Sequence, residues 1–318
     1  MVLVYGVLGQ SGIKVSRLCF GTLTIGPLQA NLPVADGARL ICRALAEGVN
    51  FIDTAELYHT YPYIREALRQ TGGETVITSK CYAYTRECMR ESFEQALRDL
   101  GRDYIDVFML HEQESILTIK GHWEALEYLF EAKEKGWLRA VGISTHHVAG
   151  VLGAAEVSEI DVVHPLINMA GIGISDGTLA DMRRAIGQAY AAGKGIYAMK
   201  ALGGGHLLQR TEEAFQYIMS VPELASVAVG MSSVEEVDYN TRLFSGQPVS
   251  AEMKVKVAKL PRRLLIHDWC QGCGACVAGC KAEALSLDSN GKAVVAPDKC
   301  VLCGYCGALC PEFCIKVV

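Results

Sequence analysis

Eight cysteines near the end of the sequence stand at metal-holding spacings. Cys270, Cys273, Cys276 and Cys280 make one C-x2-C-x2-C-x3-C run, and Cys300, Cys303, Cys306 and Cys310, followed by Pro311, make a second. Thiolates so spaced hold 4Fe-4S clusters. Two CxxC pairs can also make a tetrahedral zinc site, but zinc leaves the repeated third and fourth cysteines unexplained. A second group lies far upstream: Asp53, Tyr58, Lys80 and His111. An Asp beside a Lys favours the charged form of each, and an ammonium near a phenol lowers the phenol's pKa. Such a tyrosine can protonate a carbonyl oxygen that His111 orients, while a hydride donor attacks the polarised carbon.

These four residues need a frame that brings them together. From residue 18 to about 245, short apolar runs alternate with helical patterns. The predicted strands are LCFGT (18–22), FIDTA (51–55), VITSK (76–80), IDVFMLH (105–111), AVGIS (140–144), VVHPLIN (162–168), GIYAMK (195–200) and SVAVG (226–230). Eight parallel strands with helical crossovers close most simply into an α/β (β/α)8 TIM barrel. An open doubly wound sheet is the alternative, but no GxGxxG follows the first strand. Asp53, Tyr58, Lys80 and His111 all fall at strand ends or in the loops that follow, where this fold carries its chemistry. The opening YGVLGQSGIKVSRLCF reads as a hairpin that plugs the barrel bottom. From about 260 the chain becomes dense in Cys and Gly, which divides it into a barrel over 1–259 and a small domain over 260–318.

Half of the 318 residues are hydrophobic, enough for one large core and an appended domain. The net charge of -5, with no long Lys/Arg run, gives no footprint for nucleic acid or an anionic membrane. The N-terminus lacks a charged n-region and cleavage site, and no apolar run spans a bilayer. A cytoplasmic protein is expected, so the thirteen cysteines point to metal rather than to disulfides. Cys19, Cys42, Cys81, Cys88 and Cys314 fall outside the runs and read as small hydrophobes, not ligands.

The segments FIDTAELY, VITSK, DVFMLH, AVGIS and MKALGGG, in this order, resemble the aldo-keto reductase family over nearly all of residues 1–245. The resemblance implies a tetrad of Asp53, Tyr58, Lys80 and His111, with Tyr58 as general acid/base. It also implies a nicotinamide cofactor, NADP(H) or NAD(H), across the barrel mouth. By position, Ser144 and Asn168 would hold the carboxamide, and Leu202, Gly203, Gly204 and Gly205 would wrap the pyrophosphate. Ser232, Ser233, Glu236 and Asn240 would meet the adenosine end, and Gly21, Thr22 and Lys200 complete the implied contacts. Two positions depart from the family. Met199-Lys200 stands where many relatives stack an aromatic under the nicotinamide. Glu236 stands where many NADP-dependent relatives carry arginine, and a carboxylate there repels a 2′-phosphate and suits a ribose hydroxyl. Leu23, Tyr82, Glu112 and Met169 are candidate pocket residues, and Glu112 is either a group that disfavours anionic substrates or a solvated surface carboxylate.

The cysteine runs are similar to those of bacterial ferredoxins, which implies a ferredoxin-like α+β domain with two 4Fe-4S clusters. In that arrangement Cys270, Cys273, Cys276 and Cys310 hold one cluster, and Cys300, Cys303, Cys306 and Cys280 the other. Lys281 stands where the pattern has a second proline. Six Lys/Arg against five Asp/Glu in 260–318 leave the loaded domain at about -3, so a one-electron partner protein would meet an acidic face.

Three functions are compatible with these residues. One is NAD(P)H-dependent reduction of an aldehyde or ketone, with a small carbonyl or alcohol as substrate. Another is a ferredoxin-linked enzyme whose clusters pass single electrons to substrate, a flavin or a partner. The third is an electron-transfer or scaffold protein on a degenerate barrel, which the intact tetrad disfavours. Hydride moves two electrons together while each cluster takes one, often near a potential of about -400 mV, so NAD(P)H is a weak reductant for them.

Overall fold

The computed structural model describes residues 3–72 and 74–318. Strands β1 (Tyr5–Val7) and β2 (Lys14–Ser16) form the expected antiparallel hairpin, with Tyr5 opposite Ser16. Its turn buries Leu8 and Ile13 against Phe51, Val107, Val162 and Tyr197 from the barrel interior, which closes the bottom of the barrel.

Eight parallel strands follow and close on themselves: β3 (Leu18–Gly21), β4 (Phe51–Asp53), β5 (Val76–Cys81), β6 (Ile105–Leu110), β7 (Leu138–Thr145), β8 (Val162–Pro165), β9 (Gly195–Ala198) and β10 (Ser226–Gly230), with β10 pairing back to β3. Each predicted strand has its counterpart, and nearly every residue in them is buried because the sheet is covered on both faces. The differences lie at the ends. VVHPLIN stops pairing as a strand at Pro165, and only Leu166 makes a further bridge, to Met199. GIYAMK ends at Ala198, because Lys200 turns into the left-handed region at φ 59°.

The helices pack one apolar side on the sheet. The helix Arg86–Leu100 shows how the sequence sets their limits: Thr85 accepts a hydrogen bond from the Cys88 amide at its start, and Gly101 at φ 67° ends it. No helix among the described residues is long and apolar enough to cross a membrane.

After the exposed helix Ala251–Ala258 the chain enters the small domain. Strand β11 (Leu264–Ile266) pairs antiparallel with β14 (Ile315–Val317), and β12 (Leu285–Leu287) with β13 (Ala293–Val295). Its core is thin and rich in cysteine: Cys270, Cys276 and Cys314 pack with Leu264, Leu285, Ala293, Ile315 and Val317. So small a core needs a metal group to hold it. The domain is not free of the barrel. Phe313 is buried among Leu166, Ile172, Met199 and Leu207, all at the C-terminal end of the barrel strands.

Candidate active site and cluster centre

Asp53 ends β4, Lys80 lies near the end of β5, His111 follows β6, and Tyr58 closes the short turn Glu56–Tyr58. Parallel pairing in register brings these ends together. The Lys80 ammonium donates to both Asp53 oxygens, at 3.0 and 2.8 Å, and to the Thr54 carbonyl at 2.8 Å. Lys80 is 1% exposed, so breaking this pair would strand a charge in the core. The ammonium lies 5.0 Å from the centre of the Tyr58 ring, and that ring meets His111 edge to face at 5.9 Å.

The expectation that Lys80 lowers the Tyr58 pKa meets stronger opposition. Burial first, then the negative charges of Asp53 and Glu112, push the phenol well above its ordinary value. Tyr58 is therefore protonated at neutral pH and poised to donate. Burial, followed by the charges of Lys80 and Lys200, holds His111 well below the usual imidazole range and hence neutral. Its Nδ1 is buried and has no hydrogen-bond partner among the described residues. Tyr82 stacks on the same ring at 4.5 Å, and its hydroxyl donates to Glu112 at 2.7 Å.

Two residues beneath the tetrad were not picked out from the sequence. The Tyr197 hydroxyl donates to Asp53 at 2.9 Å, and His164 stacks on Tyr197 at 3.8 Å with its Nε2 3.7 Å from the same carboxylate. Both point into the barrel from predicted strands, so strand alternation was the available signal. Tyr197→Phe should destabilise the fold by about 1.5–3 kcal/mol, the worth of a buried hydrogen bond to a charge. Thermal or denaturant unfolding checks this, and an unchanged midpoint would contradict it.

In the small domain, Cys270, Cys273, Cys276 and Cys310 line one cavity together with Gly272, Gly274, Cys314 and Ile315. The amides of Gly272 and Ala293 donate to the Cys270 sulfur at 3.4 and 3.5 Å, and Ala284 donates to Cys280 at 3.4 Å. Such donors suit thiolates carrying a cluster's negative charge. The two runs also repeat one backbone shape. Positive φ recurs two and four residues after the first cysteine, at Gly272 and Gly274 and again at Leu302 and Gly304, and three after the fourth, at Glu283 and Phe313. The donor set and cavity of the first run fit a 4Fe-4S cluster, and the second run repeats its backbone shape. Cys314, read from spacing as a bystander, faces the first cavity with its sulfur 3.4 Å from that of Cys310.

A family model described as the aldo/keto reductase family matches residues 17–216. The chain belongs to the aldo/keto reductase family. A second model, the 4Fe-4S dicluster domain, matches residues 269–314 and so makes the tail an iron-sulfur domain. Among curated proteins, the chain is 24% identical over 278 residues to L-galactose dehydrogenase of Arabidopsis thaliana, covering 73% of this chain and 85% of that one. It is 29% identical to a probable voltage-gated potassium channel subunit beta of the same plant over 51% of this chain and 53% of that one. A solved aldo-keto reductase from Pseudomonas aeruginosa superposes with a TM-score of 0.67 at 26% identity, covering 76% of this chain and 95% of that one.

Within this aldo/keto reductase, the residues implied to hold a dinucleotide are engaged by the chain itself. The Thr22 hydroxyl donates to the Asp53 carbonyl at 3.0 Å, and Gly21 ends β3 tight against Val229. Ser144 accepts from the Glu112 amide at 3.0 Å. Asn168 accepts from the amides of Ala170 and Ile172 and donates to the Ile172 carbonyl, so its amide is spent on its own loop. Ser233 caps the helix Val234–Phe244, on which Asn240 is buried. The Glu236 carboxylate accepts from the Ser232 amide at 2.7 Å and pairs with Arg262, on the approach to the tail. Leu202 is half-buried beside Phe313 and its neighbours.

The glycine loop itself lies under the tail. Gly203, Gly204 and Gly205 take φ of 58, 67 and 90°, and a Cβ on Gly205 would come within 2.0 Å of the Val317 carbonyl oxygen. His206 Nε2 lies 2.8 Å from the Ile315 carbonyl. Lys200, beside the loop, lies over the Phe313 ring with its ammonium 2.8 Å from His146 Nε2. As the chain stands, these residues do not fit a dinucleotide, because β14 and Phe313 rest on the loop that would wrap its pyrophosphate. Gly205→Ala should cost about 1–3 kcal/mol from backbone strain alone. It should also loosen the tail, seen as faster proteolysis near residues 259–263. Unchanged proteolysis and unfolding would mean that this contact is unimportant.

Proposed function

We propose that the chain is an iron-sulfur oxidoreductase that interconverts a small carbonyl compound and its alcohol, with protons handled by the barrel and electrons by the tail. The single observation that carries this reading is the seating of β14 and Phe313 on the glycine loop, which puts the iron-sulfur domain against the mouth that a nicotinamide would need. Cys270, Cys273, Cys276 and Cys310, and Cys300, Cys303, Cys306 and Cys280, would hold clusters that would exchange electrons singly, and two of them would match the two electrons of a carbonyl reduction.

Tyr58 donates its proton to the carbonyl oxygen. Its raised pKa keeps it in the donating form, and Lys80, paired with Asp53, fixes the local charge beside it. His111, neutral and with a free Nδ1, orients the same oxygen. The hydrogen gained at carbon is then a solvent-derived proton rather than a hydride. The balance is one carbonyl, two electrons and two protons to one alcohol.

Family membership favours a second reading: NAD(P)H-dependent reduction, with the dinucleotide bound once the tail has moved off the glycine loop. Glu236 would then incline it toward NAD(H), and the family toward NADP(H). An anaerobic screen of aldehydes and ketones separates the two. Turnover with reduced methyl viologen and none with NADH or NADPH is expected; turnover with a nicotinamide alone would overturn the first reading. Either way the substrate is small, and the electron donor in the first reading is a low-potential one-electron protein.

A further inference from the structure

Lys200 and Lys316 are buried lysines at the barrel mouth, neither of them paired with an acid. Lys316 is 8% exposed, and its ammonium bonds the Phe313 carbonyl rather than an acid. The ammonium of Lys200 has His146 as its hydrogen-bonding partner. No carboxylate lies within salt-bridge distance of either lysine among the described residues. Burying an ammonium without a counter-ion costs several kcal/mol, and burial accordingly lowers Lys200 to about 8 and Lys316 to about 5. Glu112, the acid nearest this group, stays 3.7 Å from His146 and is turned toward the Tyr82 hydroxyl. Lys200 also sits in the left-handed region at φ 59°, a strained state for a residue with a Cβ.

Lys200 adjoins the tetrad. Lys200 depresses His111 and is itself depressed by Lys80, so the three share one electrostatic neighbourhood, and the buried Nδ1 of His111 has no partner among the described residues. Phe313 and Lys316 come from the tail, so the group is complete only when the iron-sulfur domain is docked.

We propose that Lys200, Lys316 and His146 form a seat for the carboxylate of the substrate, which makes that substrate a small oxo acid or the corresponding hydroxy acid. The proposal rests on the preceding reading of the mouth as a carbonyl site. The carboxylate supplies the counter-charge that lets Lys316 take up a proton, and Lys200 stabilises negative charge developing on the carbonyl oxygen until Tyr58 protonates it. The expectation that Glu112 disfavours anions is outweighed, because Glu112 is already bonded to Tyr82 while Lys200 has no acid within salt-bridge distance among the described residues.

The test is calorimetric titration of the anaerobically purified holoprotein with pyruvate, 2-oxobutyrate, 2-oxoglutarate and inorganic pyrophosphate. At least one oxo acid should bind the wild-type protein. Lys200→Gln should weaken it by about tenfold or more, and Lys200→Arg should keep it within about threefold, with iron content and melting temperature reported for each. Binding by none of the three oxo acids, or equal binding by a folded Lys200→Gln variant, would overturn the proposal. So would tighter, Lys200-dependent binding of pyrophosphate, which would give the seat to a nucleotide. The titration involves no electron transfer. Lys200-dependent oxo-acid binding without viologen-driven turnover would therefore sink the proposed function and leave the seat standing.

Discussion

Tyr58→Phe should lower carbonyl reduction by about 10²–10⁴-fold, the usual worth of a positioned general acid, without loss of iron. The phenol is the only proton donor of the tetrad that burial and neighbouring charge hold in its protonated state: Lys80 is tied to Asp53 and Thr54, and His111 is kept neutral. Phenylalanine keeps the ring that meets His111 edge to face, so the pocket shape survives and only the proton is lost. Steady-state turnover with a saturating carbonyl substrate, alongside iron and sulfide analysis, checks it. Activity within a few-fold of wild type would remove Tyr58 from the chemistry.

The second large effect is expected from Cys300 and Cys303. Replacing both with alanine should drop iron from about eight to about four atoms per chain and abolish viologen-driven turnover. The barrel should stay folded, since its two main cores contain no residue of the tail. The tail has no such reserve, because its core consists largely of the cysteines and the short strands around them. Circular dichroism should keep the helical signal, while the tail becomes more sensitive to protease. Undiminished viologen turnover in a variant that has lost half its iron would exclude an obligatory route through the second cysteine run.

Much of the barrel was legible in the sequence because its signals are local. The β-rich runs, their spacing and the residues that end them place Asp53, Lys80 and His111 at one rim without any long-range contact being known. The N-terminal hairpin was legible for the same reason. The sign of the Tyr58 shift was not, since spacing shows the nearby Lys80 but not the burial, the Asp53 charge or Glu112 that outweigh it. The seating of the tail was also hidden. Phe313 reaches Leu166 and Met199 across more than a hundred residues, and nothing in the cysteine pattern specifies that contact. Cys314 is a milder case: four residues beyond Cys310, it was set aside on spacing, yet the left-handed turn at Phe313 folds it back to the same cavity.

That seating also changes how the sequence motifs should be weighed. MKALGGG carries the family's glycine loop, yet here two of its three glycines leave room for the tail: Gly204 for Phe313 and Lys316, and Gly205 for Val317. Glu236 follows the same pattern, since its carboxylate is matched to Arg262. The departures at Lys200 and Glu236 thus each meet the C-terminal segment, Lys200 at the Phe313 ring and Glu236 at Arg262.

The origin of the hydrogen added at carbon tests the central claim most directly. Carbonyl reduction run in deuterium oxide, with reduced viologen as the electron source, should give an alcohol carrying deuterium at the carbinol carbon, read by mass spectrometry or proton NMR. Protium at that carbon in deuterium oxide, delivered from NADH or NADPH, would contradict it and return the barrel to hydride chemistry.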